Sequence, residues 1–192
     1  GYPLYVAGMR ERLTELARHN VRQVRSIGAQ RVVFTCPSCY HTWRHFYETD
    51  VKLMHSTQLI SELVQKGRIR FKEKVNITAT YHDPCYLGRH NDIYDQPRDV
   101  LKKVPGLEFS EMSESRAASL CCGGGGGRIW METMKGERFS DFRIEQAMGV
   151  GAEVLATSCP YCITHFEESR LTLEDQESLV IKDITEIIAE VI

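Results

Sequence analysis

Seven cysteines carry the chemistry that can be read from this chain: Cys36 and Cys39 in TCPSC, Cys85 in HDPC, the adjacent Cys121 and Cys122, and Cys159 and Cys162 in SCPYC. Thiolates are the soft ligands that zinc and iron–sulfur centres select, and a CxxC pair can also act as a redox dithiol. An odd number of cysteines without an export signal weighs against a secreted disulfide framework and points to a reducing, cytoplasmic setting. The last five form a set with long, nearly equal intervals, 35 residues between Cys85 and Cys121 and 36 between Cys122 and Cys159. Five thiolates exceed the four of a tetrahedral zinc site or an ordinary cubane cluster, so either one cysteine is not a ligand or the centre is unusual.

Strands and helices alternate around these cysteines. RERLTELARHNVRQVRSIG has apolar residues at helical spacing and stops at Gly28; RVVFT is a short β-rich run, and helical character returns after Cys39. VNITATY, residues 75–81, predicts a strand and DVLKKV a helix. GERFSDFRIEQAMGVG predicts a helix with a glycine stop, EVLAT a strand, and KDITEIIAEVI an amphipathic helix. The alternation predicts an α/β fold with mostly parallel strands, and it places cysteines on loops that follow strands, where backbone amides are free.

The chain also repeats itself. GAQRVVFTCPSC, from Gly28, aligns without a gap on GAEVLATSCPYC, from Gly151, an offset of 123 residues. HSTQLISEL from His55 matches DITEIIAEV from Asp183 after a five-residue insertion, and Gly1 falls within one residue of the position equivalent to Gly123. Two similar units are expected: residues 1–73 as the C-terminal part of a first, lacking its N-terminal part, and residues 74–192 as a complete second. Cys-Cys is expected immediately ahead of Gly1.

A single Cys, a CC pair and a CxxC at these intervals, with the prolines of HDPC and SCPYC, resemble the CCG cysteine-rich domain of the heterodisulfide reductase family. Related proteins include iron–sulfur subunits of glycolate and lactate oxidising systems, anaerobic glycerol-3-phosphate dehydrogenase subunits and membrane redox complexes of sulfate reducers. The resemblance covers nearly the whole chain and implies two CCG domains in an iron–sulfur subunit of a multi-subunit oxidoreductase. It implies that Cys85, Cys121, Cys122, Cys159 and Cys162 hold a [4Fe-4S] cluster, noncubane where all five serve. Cys36 and Cys39 would be the CxxC of a second centre, a cluster or zinc; a subunit of some succinate dehydrogenases resembles the zinc case. The implied activity is disulfide reduction in one-electron steps. The alternatives are electron relay from an organic-acid dehydrogenase or flavoprotein toward quinone or cytochrome, and a zinc-stabilised scaffold. Implied partners are flavoprotein, ferredoxin-like or cytochrome b-type subunits, with a disulfide or quinone-linked substrate and membrane association only through such partners.

The five glycines after the CC pair fit this picture, because glycine permits backbone angles and close approach that other residues refuse. Gly123, Gly124 and Gly125 are therefore expected at the cofactor, their amides able to donate to sulfur. The same run satisfies GxGxxG, but it follows CC rather than a strand and no GK[ST] appears, which weighs against a phosphate cradle; an idle loop is the other alternative. His82 and His165 flank the expected centre as proton-relay candidates, although such residues more often cap or pack. Asp83 is expected to organise the turn into Pro84 and Cys85. Arg89 and Arg128 are candidates for pairing with cluster or substrate charge, or solvated surface residues; Trp43 and Trp130 read as core or interface. The 24 basic and 26 acidic residues leave a formal charge of −2, which signals no nucleic-acid partner. No run of 18 apolar residues exists, and GYPLYVAGMRERLTEL has no basic leader before an apolar segment, so neither a membrane span nor a signal peptide is expected.

Overall fold

A computed structural model describes residues 1–172 and 179–192. Its elements run α1 (Tyr2–Val6), α2 (Arg10–Ser26), β1 (Arg31–Phe34), α3 (Pro37–Phe46), β2 (Lys52–His55) and α4 (Ser56–Gln65). They continue as β3 (Ile77–Tyr81), α5 (Asp95–Leu101), β4 (Leu107–Phe109), two 3-10 turns at Arg116–Ala118 and Arg128–Trp130, α6 (Phe139–Gly149), β5 (Val154–Thr157), α7 (Pro160–Thr172), β6 (Val180–Asp183) and α8 (Ile184–Val191). Every strand pairing is parallel: β1 with β2 in one sheet, and β4-β3-β5-β6 in the other. The fold is α/β, as the alternation predicts.

The repeat in the sequence is a repeat in the hydrogen bonding. After α2 the Gly28 N–H bonds Arg25 O and the Ala29 N–H bonds Val24 O; after α6 the Gly151 N–H bonds Met148 O and the Ala152 N–H bonds Ala147 O. Arg31 pairs with Lys52 between β1 and β2, and the equivalent Val154 pairs with Val180 between β5 and β6. His55 with Gln58 at α4, and Asp183 with Glu186 at α8, close the same reciprocal capping box. The two sheets fall within residues 1–73 and 74–192 respectively, and Lys72 N–H bonds Val191 O where the halves adjoin.

Central strands β3 and β5 are buried on both faces, with Ala79, Tyr81, Leu155 and Ala156 inaccessible to solvent. One side packs against Val100 and Leu101 of α5 and Ile184, Ile187 and Val191 of α8. The other packs against Ile144 and Ala147 of α6 and Phe166 of α7, and in that layer lie Cys122, Cys159 and Cys162. The cysteines are thus part of a hydrophobic layer as well as of loops. In the first half, α2 buries Leu13, Ala17 and Val21, one residue per turn. Phe34 and Tyr40 there pack on Leu87 and Ile93 of the second half.

Several elements differ from the expectation. Strands β2, β4 and β6 are too short and too polar at the surface to announce themselves. KDITEIIAEVI divides: Lys182 and Asp183 belong to β6, and the helix begins at Ile184 because the Asp183 carboxylate accepts the Thr185 N–H as N-cap. DVLKKV is helical only to Leu101, where Pro105 and Gly106 (φ 78°) turn the chain into β4. Helix α3 starts at Pro37, so Cys36 is its N-cap and Cys39 lies within it rather than before it.

Asp83 organises the Cys85 loop through a distant partner. Arg98 on α5 grips it with two parallel bonds, Nη1 to Oδ1 at 2.7 Å and Nη2 to Oδ2 at 2.8 Å, both side chains 2% exposed. Arg98 Nε also reaches Glu111 at 2.5 Å, and Asp83 Oδ2 accepts the Arg116 N–H at 2.7 Å. The pair ties the segment carrying Cys85 to the one leading into Cys121. Replacing Arg98→Met leaves a buried carboxylate without its counter-charge and should cost about 3–5 kcal/mol in urea unfolding; a change below about 1 kcal/mol would show that the pair is not structurally important.

Candidate metal centre

Parallel pairing places the ends of β3 and β5 side by side, with Tyr81 opposite Ala156. Cys85 and Cys159 follow a few residues on, at the same edge of the sheet. Cys162 lies in the first turn of α7, and Cys121 with Cys122 comes in from the loop between Arg116–Ala118 and Arg128–Trp130. The sulfurs form a connected set: Cys85 with Cys121, Cys121 with Cys122, Cys122 with Cys162 at 3.2 Å, and Cys162 with Cys159. All are free thiols; Cys122, Cys159 and Cys162 are buried, Cys85 and Cys121 half-buried.

The glycine run shapes this centre at particular positions. Gly123 has φ 85°, a conformation that strains any residue with a Cβ, and from it the backbone N–H donates to Cys121 Sγ at 3.3 Å. A Cβ on Gly124 would run into the His165 ring, 2.8 Å from its Nε2, so the missing side chain lets His165 lie against the loop. At Gly125 a Cβ would meet only the Tyr2 hydroxyl, 3.7 Å away at ordinary contact distance. Tyr2 itself is buried, and its hydroxyl accepts the Gly126 N–H at 2.9 Å.

Charge is unevenly shared among the thiols. Hydrogen bonds from Cys122 and Cys85, helped by the Gly123 N–H and opposed by burial, hold Cys121 well below the usual thiol range. Cys122 is pushed up to about 12, first by that same shared bond with Cys121. Cys85 rises for the same reason, and burial together with Cys122 and Cys159 raises Cys162. A thiophilic metal ion would favour the ionised form of Cys85, Cys122 and Cys162, since metal binding replaces protons on thiols.

Histidine and arginine take different places from one another. His82 is fully buried, and one of its ring nitrogens lies with Cys122 Sγ and Cys162 Sγ in a group of ligand atoms all within 4.8 Å of one another. Burial, then the Arg143 charge, push its pKa well down. His165 is half-buried beside Gly124, and burial lowers its pKa too. Arg89, in the Cys85 loop, donates to Ser119 O at 2.8 Å in the segment leading into Cys121, whereas Arg128 stays within its own loop on Thr133 Oγ1 at 2.8 Å. Trp43 packs on Phe34 and Tyr47, whereas Trp130 is 87% exposed. Arg143 and Tyr2 had no distinguishing signal: each is an ordinary helix residue whose importance comes from what the tertiary fold sets beside it.

Cys36 and Cys39 form a second, smaller group, near enough to the first for the Cys159 charge to reach Cys39. Cys36 Sγ accepts the Cys39 N–H at 3.4 Å and lies 3.1 Å from Ser38 Oγ. Its bond with the Cys39 thiol, opposed by burial and assisted by Ser38, lowers it to about 6, while Cys39 is raised. The repeat makes Gly1 the counterpart of the glycine run that follows Cys122, and the fold brings it to the equivalent neighbourhood.

A family model, the CCG cysteine-rich domain, matches residues 1–44 and 79–167. The chain belongs to the CCG family. A dihydromethanophenazine:CoB–CoM heterodisulfide reductase polypeptide of Methanosarcina barkeri is 36% identical over 92% of this chain and 44% of that protein. The probable iron-sulfur-binding oxidoreductase FadF of Bacillus subtilis is 35% identical over 92% of this chain and 25% of its own length. EtfAB:quinone oxidoreductase of Syntrophomonas wolfei is 31% identical over 90% and 26% respectively. The chain spans less than half the length of each. Both CxxC elements, Cys85 and the CC pair lie inside the matched residues.

The lowered Cys36 thiol yields a direct expectation. In metal-free protein Cys36 should be largely thiolate at neutral pH and be alkylated faster than Cys39, its rate falling as pH drops through about 6. Ser38→Ala should move that fall to higher pH. Mass-spectrometric mapping of alkylation against pH would contradict the geometry if Cys39 reacted first.

Proposed function

We propose that this CCG chain is an iron–sulfur unit of a multi-subunit oxidoreductase acting in disulfide reduction. Cys85, Cys121, Cys122, Cys159 and Cys162 would hold a [4Fe-4S] cluster of the noncubane kind, and Cys36 and Cys39 would contribute to a second centre, iron–sulfur or zinc. Two thiols alone complete neither, so the second centre needs further ligands. The proposal treats residues 1–73 and 74–192 as two CCG units meeting at their cysteine ends. The linked series of five thiols, a buried histidine nitrogen grouped with two of them, Cys122 and Cys162, and relatives named as iron–sulfur proteins support it. Bound there, an iron–sulfur cluster supplies one-electron transfer and affinity for sulfur.

One observation favours reaction with a substrate over simple relay. A cavity of about 830 Å³ opens beside the centre, with Cys122, Gly123 and His165 in its wall and Arg128, Arg138 and Phe139 around it. That volume suits a small-molecule substrate, whereas electron relay needs none. Cys122 is the ligand a substrate sulfur would approach, and Phe139 and Trp130 would exclude water from part of the approach. The relay reading draws on a different observation: Cys39 and Cys159 are close enough to feel each other's charge, which suits electron passage between two centres. Flavoprotein, ferredoxin-like or cytochrome b-type subunits are the proposed partners. Among the described residues no helix is long and apolar enough to cross a membrane. Membrane association through those partners, with the chain on the cytoplasmic side, is part of the same proposal.

Anaerobic purification of the full-length protein followed by iron and acid-labile sulfide assay tests the reading. Both should be abundant and both should fall when Cys122→Ser is introduced; zinc without sulfide would contradict it. An electron paramagnetic resonance signal that changes on adding a disulfide supports reaction at the centre, and an unchanged signal supports relay.

A further inference from the structure

We propose that His82 is a fixed N–H donor to the sulfur centre, and that Arg143 is the positioning residue that fixes it. The inference rests on the reading of the five cysteines as a metal–sulfur site. His82 sits at the end of β3 with its backbone held on both sides: its N–H bonds Ala156 O at 2.9 Å, and its carbonyl accepts Thr157 Oγ1 at 3.3 Å. The ring stands edge-on to Phe166, with centroids 4.8 Å apart, and is fully buried. Arg143 on α6 is equally buried. Its Nη1 is anchored by Glu114 O and Gln146 Oε1, each at 2.7 Å, and its Nε donates to His82 Nδ1 at 3.2 Å.

A guanidinium has only donors, so the nitrogen it addresses must be the one that carries a lone pair. Nδ1 is therefore the acceptor, and the ring proton resides on Nε2. That Nε2 is buried without an oxygen or nitrogen partner, yet the ring belongs to the group within 4.8 Å that contains Cys122 Sγ and Cys162 Sγ. The remaining direction for its N–H is sulfur.

The same geometry makes His82 a poor metal ligand despite its place among the thiols. Coordination through Nε2 would move the ring proton to Nδ1, where it would face the Arg143 N–H across 3.2 Å. His82 is thereby held in one tautomer, which suits steady hydrogen bonding better than proton shuttling. A donor to sulfur favours the more negative, reduced state of a cluster and raises its potential. Arg143 acts through His82, without itself touching a cysteine sulfur in any hydrogen bond among the described residues.

Two readouts on the full-length, anaerobically purified protein test this. Long-range proton–nitrogen NMR of nitrogen-labelled histidine should show the Nε2–H tautomer for His82, with Nδ1–H appearing in Arg143→Met; an Nδ1–H tautomer in the wild type would overturn the proposal. In the loaded protein His82→Leu should keep its iron and shift the reduction equilibrium about tenfold toward the oxidised state, about 59 mV for one electron. Iron lost in proportion to the substitution, or an unchanged potential, would overturn it. Should His82→Leu fail to fold, the wild-type tautomer and the Arg143→Met spectrum decide. Protein without iron would sink the cluster reading, while the tautomer measurement, which needs no metal, would still decide the His82–Arg143 pairing.

Discussion

Ionising several buried thiols side by side carries an electrostatic cost that the fold does not offset by itself. Around Cys121 the chain supplies one backbone N–H and a neighbouring loop, while Cys85, Cys122 and Cys162 are driven toward protonation by burial and by one another. Full ionisation of such a set needs positive charge at its middle. Much of the surrounding architecture reads as support for that condition: parallel register aligns the ends of β3 and β5, the Arg98–Asp83 pair ties two cysteine loops together, and Gly123 turns the chain so that an amide faces sulfur.

The two halves of the chain pack on each other beside these cysteines. Tyr2 of the first half accepts the Gly126 N–H of the second and places its ring against Tyr86, next in sequence to Cys85, with centroids 5.1 Å apart. Leu87 and Ile93 of the Cys85 loop pack on Phe34 and Tyr40 of the first half. Disturbance at one cysteine group therefore has a short packed route to the other, through side chains that carry no redox chemistry of their own.

Much of this was legible in the sequence, and the reason is the repeat. GAQRVVFTCPSC and GAEVLATSCPYC foretell the same strand, the same glycine stop and the same helix start, and the structure repeats even the register and the capping boxes. The short strands β2, β4 and β6 were not legible, because three or four residues with mixed burial give no alternation to count. His82 could be named as a neighbour of Cys85, but its tautomer depends on Arg143, some sixty residues away in the chain. Likewise Asp83 announced a turn residue and proved to be half of a buried ion pair, since its partner Arg98 becomes visible only when α5 is laid beside the loop. Of the two cations close to the cysteines in sequence, Arg128 is engaged within its own loop, whereas Arg89 reaches across from the Cys85 loop to Ser119 beside the CC pair.

Cys85, Cys121, Cys122, Cys159 and Cys162 are proposed to act together on one metal–sulfur centre. The most direct test is the Mössbauer spectrum of isotopically iron-enriched full-length protein, compared with the five single Cys→Ser variants at Cys85, Cys121, Cys122, Cys159 and Cys162. A shared centre should give a multi-iron spectrum that each of the five substitutions alters. A variant at any of these positions with full iron content and an unchanged spectrum would contradict a five-cysteine site.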